Sequence, residues 1–426
     1  MLIHRSARQF RQSLIFAVTA CAFLAGTPHV FGMATLFAVK PDNKLQRFKS
    51  NTPTVIDATV NITGLQVGET LIGIDFRPET GGLYGVGTTG RLYVIDFASG
   101  AAAQIGTGVF AQPLLGTSFG TDFNPLIDRL RIVSDANQNL RVNPDSGTIT
   151  GIDTNLAYVA GDLFAANDPT IVAAAYLLHD VGGVPSTTLF GIDSATNSLV
   201  RIGGVAGTPS PNAGQLSTIG ALGVDTLDFT GFDIGPGDAA FAGMDIGGQT
   251  KLFTINLTTG AATLVGTIGD GTPIRGLAVA PVGRFEYSQD TFNVSEGAAF
   301  ATITVARLGG SFGSATVQFL ANDGTAVDPD DYDSILDTLT FGAGETSKTF
   351  NVVINEDAID EPTQTVNLSL LNPTGGATIG PRKTATLRIL DKDGGGGGGF
   401  PFCGIGLFTM APLTLLGLVA MRRRTK

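Results

Sequence analysis

"LYVIDFASGAAAQIG", residues 92 to 106, sets two short apolar runs on either side of a turn containing Asp96, Ser99 and Gly100. Runs of this length, rich in β-branched and aromatic residues and broken by Ser/Thr-Gly, read as a β-hairpin. The stretch recurs as "LRVNPDSGTITGID" at Leu140, "LFGIDSATNSLVRIG" at Leu189 and "LFTINLTTGAATLVG" at Leu252, with a weaker copy, "LQRFKSN", at Leu45. Successive copies start 47, 48, 49 and 63 residues apart, the last interval lengthened by a Gly/Pro/Ser-rich insertion near residues 205–224. A second marker stands between them: "GIDFRP" at Gly73, "GTDFNP" at Gly120, "GFDIGP" at Gly231 and "GLAVAP" at Gly276.

Each unit thus reads as an inner strand, a hairpin and an outer strand, which is how the blades of a propeller are built. The first unit, at Leu36, lacks an inner strand, and the last inner strand, at Gly276, lacks outer ones. Joining the two closes a ring and leaves no sheet edge open. The expectation is a five-bladed β-propeller over 34–282, with six blades as the fallback, and Leu45, Leu92, Leu140, Leu189 and Leu252 on equivalent strands. This region resembles a family of exported bacterial proteins of uncharacterised function that carry the same Gly-x-Asp and Leu-Tyr-x-Ile-Asp-x-x-(Ser/Thr)-Gly repeats. The resemblance implies a propeller and no activity.

Composition narrows the function. The 426 residues include 58 Gly and 20 Pro and carry a net charge of −11, which argues against a nucleic-acid partner because phosphate binding needs a basic face. Residues 284–393 hold sixteen acids and seven Lys or Arg, so an acidic domain is joined to a nearly neutral one. Cys21 and Cys403 lie in terminal apolar segments, so the body relies on neither disulfides nor thiolate metal sites. His4, His29 and His179 are the only histidines, which limits acid–base chemistry and zinc ligation.

The two ends read as addresses. Arg5, Arg8 and Arg11 precede the apolar run 14–25, the layout of a secretory signal peptide over 1–32. Val30-Phe31-Gly32 offers a cleavage site before Met33, and Val18-Thr19-Ala20-Cys21 gives the alternative of a lipoprotein box. A polyglycine linker, 394–399, leads to the apolar run 400–421 and a basic tail, 422–426. As a helix that run reaches roughly 33 Å, enough for a transmembrane span, and the tail would stay in the cytoplasm. This end resembles the tripartite C-terminal sorting signals of bacterial exported proteins, which implies attachment at the cell surface through the membrane.

Several motifs that could carry catalysis read more simply as structure. "GTSFG" around Ser118 fits the nucleophile-elbow pattern, but it runs straight into the "GTDFNP" strand with no helix to follow. "GVGTTG", Gly85 to Gly90, fits a dinucleotide fingerprint but sits in a hairpin rather than a βαβ unit. His179 could be a general base, and reads more simply as a strand-end residue. Asp75, Asp122 and Asp233 share one repeat position; they could ring the channel and hold a metal, and a repeated blade-locking hydrogen bond explains them more cheaply.

Residues 285–392 read as seven short strands with period-two alternation. Val317/Phe319, Phe350/Val352/Ile354, Val366/Leu368/Leu370 and Ala385/Leu387/Ile389 each point apolar side chains to one face. About 108 residues of such strands without cysteine suggest an immunoglobulin-like sandwich. Its acids fall at strand ends: Glu296, Asp323, Asp331, the run "INEDAIDEP" at 354–362, Asp391 and Asp393. Clustered carboxylates supply the six to eight oxygens that calcium takes.

"FNVSEGAAFATITVAR", "NDGTAVDPDDY", "FGAGETSKTFNVVINEDAIDEP" and "LRILDKD" stand here in the order of the Calx-beta family, and residues 285–393 resemble it throughout. The resemblance implies calcium between the loops at one end of the sandwich. By position the ligands are Glu296, Asp323, Glu356, Asp357, the Ile359 carbonyl, Glu361, Asp391 and Asp393. Glu356 stands where Asp is usual, Gln364 replaces an acid and Lys392 interrupts the last acidic run, so fewer or weaker calcium sites are expected than in regulatory members. The expected whole is a non-enzymatic, calcium-binding cell-surface protein: signal peptide, propeller (34–282), Calx-beta domain (284–393), linker and membrane helix. Its role would be adhesion, envelope or matrix contact, or cell communication, with a surface glycan or protein as ligand. The competing expectation is an extracellular propeller enzyme, a lyase or lactonase-like hydrolase with a metal in the channel.

Overall fold

The structure, a computed structural model, describes residues 33–392 except 182–183. The expected signal peptide, polyglycine linker, membrane span and basic tail all lie outside the described residues. No helix among the described residues is long and apolar enough to cross a membrane.

Residues 35–279 form five antiparallel-based sheets, four of them four-stranded and one five-stranded. One strand of each is innermost: Leu71–Phe76, Phe119–Asn124, Ile171–Val181, Thr230–Gly235 and Gly276–Val279. Each of these lies against the next, and Gly276–Val279 lies against Leu71–Phe76. Burial follows from that placement. Leu71–Phe76 and Phe119–Asn124 are buried at every residue, whereas the outermost strands Ile56–Asn61 and Thr148–Ile152 alternate as a sheet with one wet face must.

Gly276–Val279 pairs with Thr35–Val39 (Leu36 opposite Val279), so one sheet draws strands from both ends of the region, as expected. Leu45, Leu92, Leu140 and Leu252 all sit on the third strand of their sheets counted from inside. Leu189 does not: it lies on the second strand, Val184–Asp193, and the third strand is Ser198–Ile202.

The reason is that the repeat's turn is portable. Asp96 Oδ1 accepts the N–H groups of Ala98 and Ser99, and Gly100 closes the turn at φ +80°. Asn143 and Asn256 do the same for their own turns. Asp193 accepts from Ala195 and Thr196, and Asn197 takes the left-handed position at φ 51°, but here the turn joins the second strand to the third. An Asx turn identifies a hairpin, not which hairpin.

Residues 284–390 form a four-stranded and a five-stranded sheet packed face to face, nine strands where seven were expected, one of them only the two residues Thr378–Ile379. The alternating sets all point into one core, where Phe319 and Phe350 stack at 3.8 Å between centroids. The two regions meet at the sandwich end carrying residues 308–313. Phe312 packs edge-on against Phe37 and Phe76 and tilted against Phe97, with centroids 5.7, 5.8 and 5.1 Å away. A cavity of about 490 Å³ remains beside this contact, lined by Asp75, Asp122 and Asp233 on one side and by Gly309, Pro373 and Gly376 on the other.

Candidate metal centre

The acidic loops lie at the far end of the sandwich from Phe312, where Phe300–Leu308 begins and Ala315–Asp323 ends. Their centre is Glu296. It sits just past Thr291–Ser295, its N–H bonded to the Leu390 carbonyl, so two paired strands hold it in place. The side chain turns inward and is only 5% exposed. Oε1 accepts a long 3.4 Å bond from the Asp357 N–H, and Oε2 is buried with no protein partner. A buried carboxylate oxygen without a partner carries a desolvation cost that a bound cation offsets.

Around it stand Asp331, Asp357, Glu361 and Asp391. Burial, then the charges of Asp331, Asp357, Glu296 and Asp391, push the Glu361 carboxyl above its ordinary range. The loop is held by its own acids: Asp357 Oδ1 accepts from Ile359 N–H at 2.7 Å, and Asp391 Oδ2 accepts from Glu361 N–H at 3.2 Å. Asn355 N–H donates to the Asp331 carbonyl at 2.9 Å, which ties the loop before the acids to the loop carrying Asp331.

The expected ligands therefore divide. Glu296, Asp357, Glu361 and Asp391 come together. Glu356 is ion-paired with Lys392 at the surface, so the lysine that interrupts the final acidic run also neutralises one expected ligand. Asp323 Oδ1 accepts from the Tyr332 hydroxyl at 2.7 Å and the Asp328 N–H at 3.2 Å, holding its own loop closed. Ile359 is exposed beside the cluster, and Asp393 lies outside the described residues. Asp331 belongs to the cluster although it was not among the expected ligands. Its place in "DDY", at a strand end with the other acids, was the available signal.

The aspartates of the Gly-x-Asp motif form a second cluster. One oxygen from each of Asp75, Asp122 and Asp233 lies within 4.8 Å of the others, and all three residues are buried. Asp75 accepts from the N–H groups of Phe76 and Phe123, both at 2.7 Å. Asp122 accepts from Tyr176 N–H at 3.1 Å, and Asp233 from Ile234 and Val279, both at 2.6 Å. Each aspartate thus bonds a main-chain N–H of the next inner strand.

Ser118 N–H donates to Asp135 and the residue leads into the strand Phe119–Asn124, with no helix for an elbow. His179 Nε2 lies 3.0 Å from Thr188 Oγ1 in the same hairpin.

Comparison with known proteins agrees with this division. The model of a family described as a domain of unknown function, DUF4394, matches residues 44–278, and that of the Calx-beta domain matches 280–393. A stretch of 100 residues is 35% identical to adhesion G-protein coupled receptor V1 of Danio rerio, and 134 residues are 29% identical to sodium/calcium exchanger 1 of Mus musculus. Those matches take in 24% and 27% of this chain, and the chain spans only 2% and 14% of the length of these relatives. Among solved structures, the apo-form Calx CBD1 domain is 26% identical over 26% of this chain and 97% of its own, with a TM-score of 0.25. The family model over 44–278 takes in more than half of the sequence, and the chain belongs to the DUF4394 family, with a Calx-beta domain behind the family's own unit.

Proposed function

We propose that this chain is a non-enzymatic, calcium-binding protein of the cell exterior, acting in adhesion, envelope or matrix contact, or cell communication. Its five sheets are read as the blades of a propeller that presents a surface to a glycan or protein. Its Calx-beta domain takes calcium among Glu296, Asp331, Asp357, Glu361 and Asp391. The observation that carries the calcium reading is the buried, unpartnered Oε2 of Glu296 amid four further acids. The names of an adhesion receptor and a sodium/calcium exchanger among its relatives support the exterior setting and the cation. The contact of each inner strand with the next supports the propeller. Against the competing reading of a channel-metal enzyme, five of the six oxygens of Asp75, Asp122 and Asp233 already accept a main-chain N–H.

A calcium ion that binds only the folded state stabilises it by RT ln(1 + [L]/Kd), about 2.7 kcal/mol at a hundredfold excess over Kd. Unfolding of the Calx-beta transition should therefore move to higher temperature in calcium than in chelator. Glu296→Gln keeps the side-chain shape and should remove at least half of that shift, as should Asp391→Asn, whereas Asp290→Asn, away from the cluster, should leave it whole. Sodium at matched ionic strength relieves repulsion without coordination. If sodium alone reproduces the full shift, the loops are acidic and nothing more. Attachment is tested separately: deleting 400–426 should release the protein into the medium, and continued membrane association would point back to Cys21.

A further inference from the structure

The carboxylates at the centre of the five sheets raise a question of charge balance. Five N–H groups face the axis, one from each inner strand: Phe76, Phe123, Tyr176, Ile234 and Val279. Three aspartates serve all five, because Ala175 and Ala278 occupy the equivalent position on the other two strands. Where the preceding strand offers only alanine, the aspartate turns back to its own neighbour: Asp75 to Phe76 and Asp233 to Ile234. That accounts for five oxygens. The sixth belongs to Asp122, and the three side chains bring one oxygen of each aspartate within 4.8 Å of the others. Two carboxylates have no hydrogen to share, so a carboxyl–carboxylate bond requires a proton.

Among the described residues no cationic side chain is paired with these charges; Arg275, which lines the space between the inner strands with Gly120, Gly231 and Gly276, stands over the Phe229 ring. Arg77, next to Phe76, points away to Asp128 and Asp145. Tyr176 turns its hydroxyl to Arg131 Nε, and His179, further along that strand, is against Thr188. At the cavity rim stand Glu79, Asp238 and Arg284, and Arg284 is taken by Glu79 and Glu286. Three carboxylates within 4.8 Å of one another, with no cationic side chain paired to them among the described residues, resist ionising together.

We propose that a proton held between Asp122 and Asp233 completes the axis of the five-sheet ring, and that its loss in alkaline medium loosens the inner strands. The hub is then a pH-operated lock built from the same Gly-x-Asp motif that lets the strands approach. Burial, with mutual repulsion for Asp75 and Asp122, raises all three carboxyls, Asp233 to about 6. The sign follows: a carboxyl raised above its unfolded value stabilises the fold in acid, and that contribution is lost as pH rises through the folded value.

The test is unfolding of the full chain in chelator from about pH 5 to about pH 9, together with the infrared band of protonated carboxyl groups. The unfolding temperature of the five-sheet unit should fall with rising pH, and a protonated-carboxyl band should persist near neutrality. Asp122→Asn can donate permanently to Asp233 while still accepting from Tyr176. It should at least halve the pH slope, raise the alkaline unfolding temperature and erase that band. Asp122→Ala should lower the unfolding temperature at every pH, which separates loss of the strand-to-strand bond from loss of the proton. A wild-type slope in Asp122→Asn overturns the proposal. So does a rise in the unfolding temperature of this unit when calcium or magnesium is added, if Asp122→Asn abolishes it, because the cation would then be what closes the hub.

Discussion

Gly231→Ala should cost the five-sheet unit about 3 kcal/mol or more, enough to show as a large fall in the denaturant midpoint and in soluble yield. A Cβ at Gly231 would sit 2.4 Å from the Leu277 nitrogen and 2.7 Å from the Gly276 carbonyl carbon, both main-chain atoms of the adjacent inner strand. Backbone cannot swing aside as a long side chain can. The strand has to move, and with it the Asp233 bond to Val279 N–H. Gly120→Ala should behave alike, its Cβ meeting the Ala174 nitrogen at 2.4 Å. Gly73→Ala should cost less, since the three atoms nearest its Cβ all belong to the side chain of Thr121. Gly108, whose Cβ would meet nothing within 4 Å, is the control and should tolerate alanine with little change. Equal effects at Gly231 and Gly108 would mean that the inner strands are not packed at this distance.

These glycines also mark where the sequence could be read and where it could not. Gly-x-Asp recurs on three of the five inner strands because neighbouring inner strands crowd one another there, and periodicity exposes a demand that repeats. The alternating strands of the sandwich were legible for a similar reason: each must present one apolar face, and its own residues say which. What failed was anything fixed by a partner distant in sequence. The turn at Asp193 carries the repeat's chemistry but joins different strands, because a turn senses only its own few residues. Asp331 was visible as an acid at a strand end, yet its nearness to Glu361 depends on Asn355 binding its carbonyl across two loops. The shared proton of the hub was hidden more deeply. It arises from the two positions where aspartate is missing, Ala175 and Ala278, and absence carries no motif.

Arg307 is the plainest case of a role set by distant partners, and its replacement is the other large effect expected. It is the next-to-last residue of the third strand of the sandwich, Phe300–Leu308, a place where a guanidinium ordinarily turns to water. Instead it is 1% exposed and donates to four carbonyls: Nε to Val282 at 2.7 Å, Nη1 to Gly342 at 3.1 Å, and Nη2 to Phe312 at 3.0 Å and Gly313 at 3.1 Å. Among the described residues no carboxylate forms an ion pair with it, although the Glu345 charge acts on it from a distance. Of the carbonyls, Val282 lies in the inter-domain connection, Phe312 and Gly313 in the loop that carries Phe312, and Gly342 just after the strand Ile335–Phe341. Arg307→Met fills much of the space but takes the guanidinium donor from four carbonyls, of which only that of Gly342 keeps another, the Glu345 N–H, at about 3 kcal/mol in total. Lysine should not rescue it, because a single ammonium cannot span the carbonyls that a planar guanidinium reaches in one plane. The damage should also spread. Phe312 is held against Phe37, Phe76 and Phe97 only while its loop keeps its shape, so Arg307→Met should separate the unfolding of the two units and open residues 309–313 to protease. Phe312→Ala should reproduce the separation with a smaller loss of sandwich stability, since it removes the contact and leaves the buried network intact. If Arg307→Met unfolds as cooperatively as the wild type, with the loop still protected, the guanidinium does not organise the junction and the aromatic cluster holds it unaided.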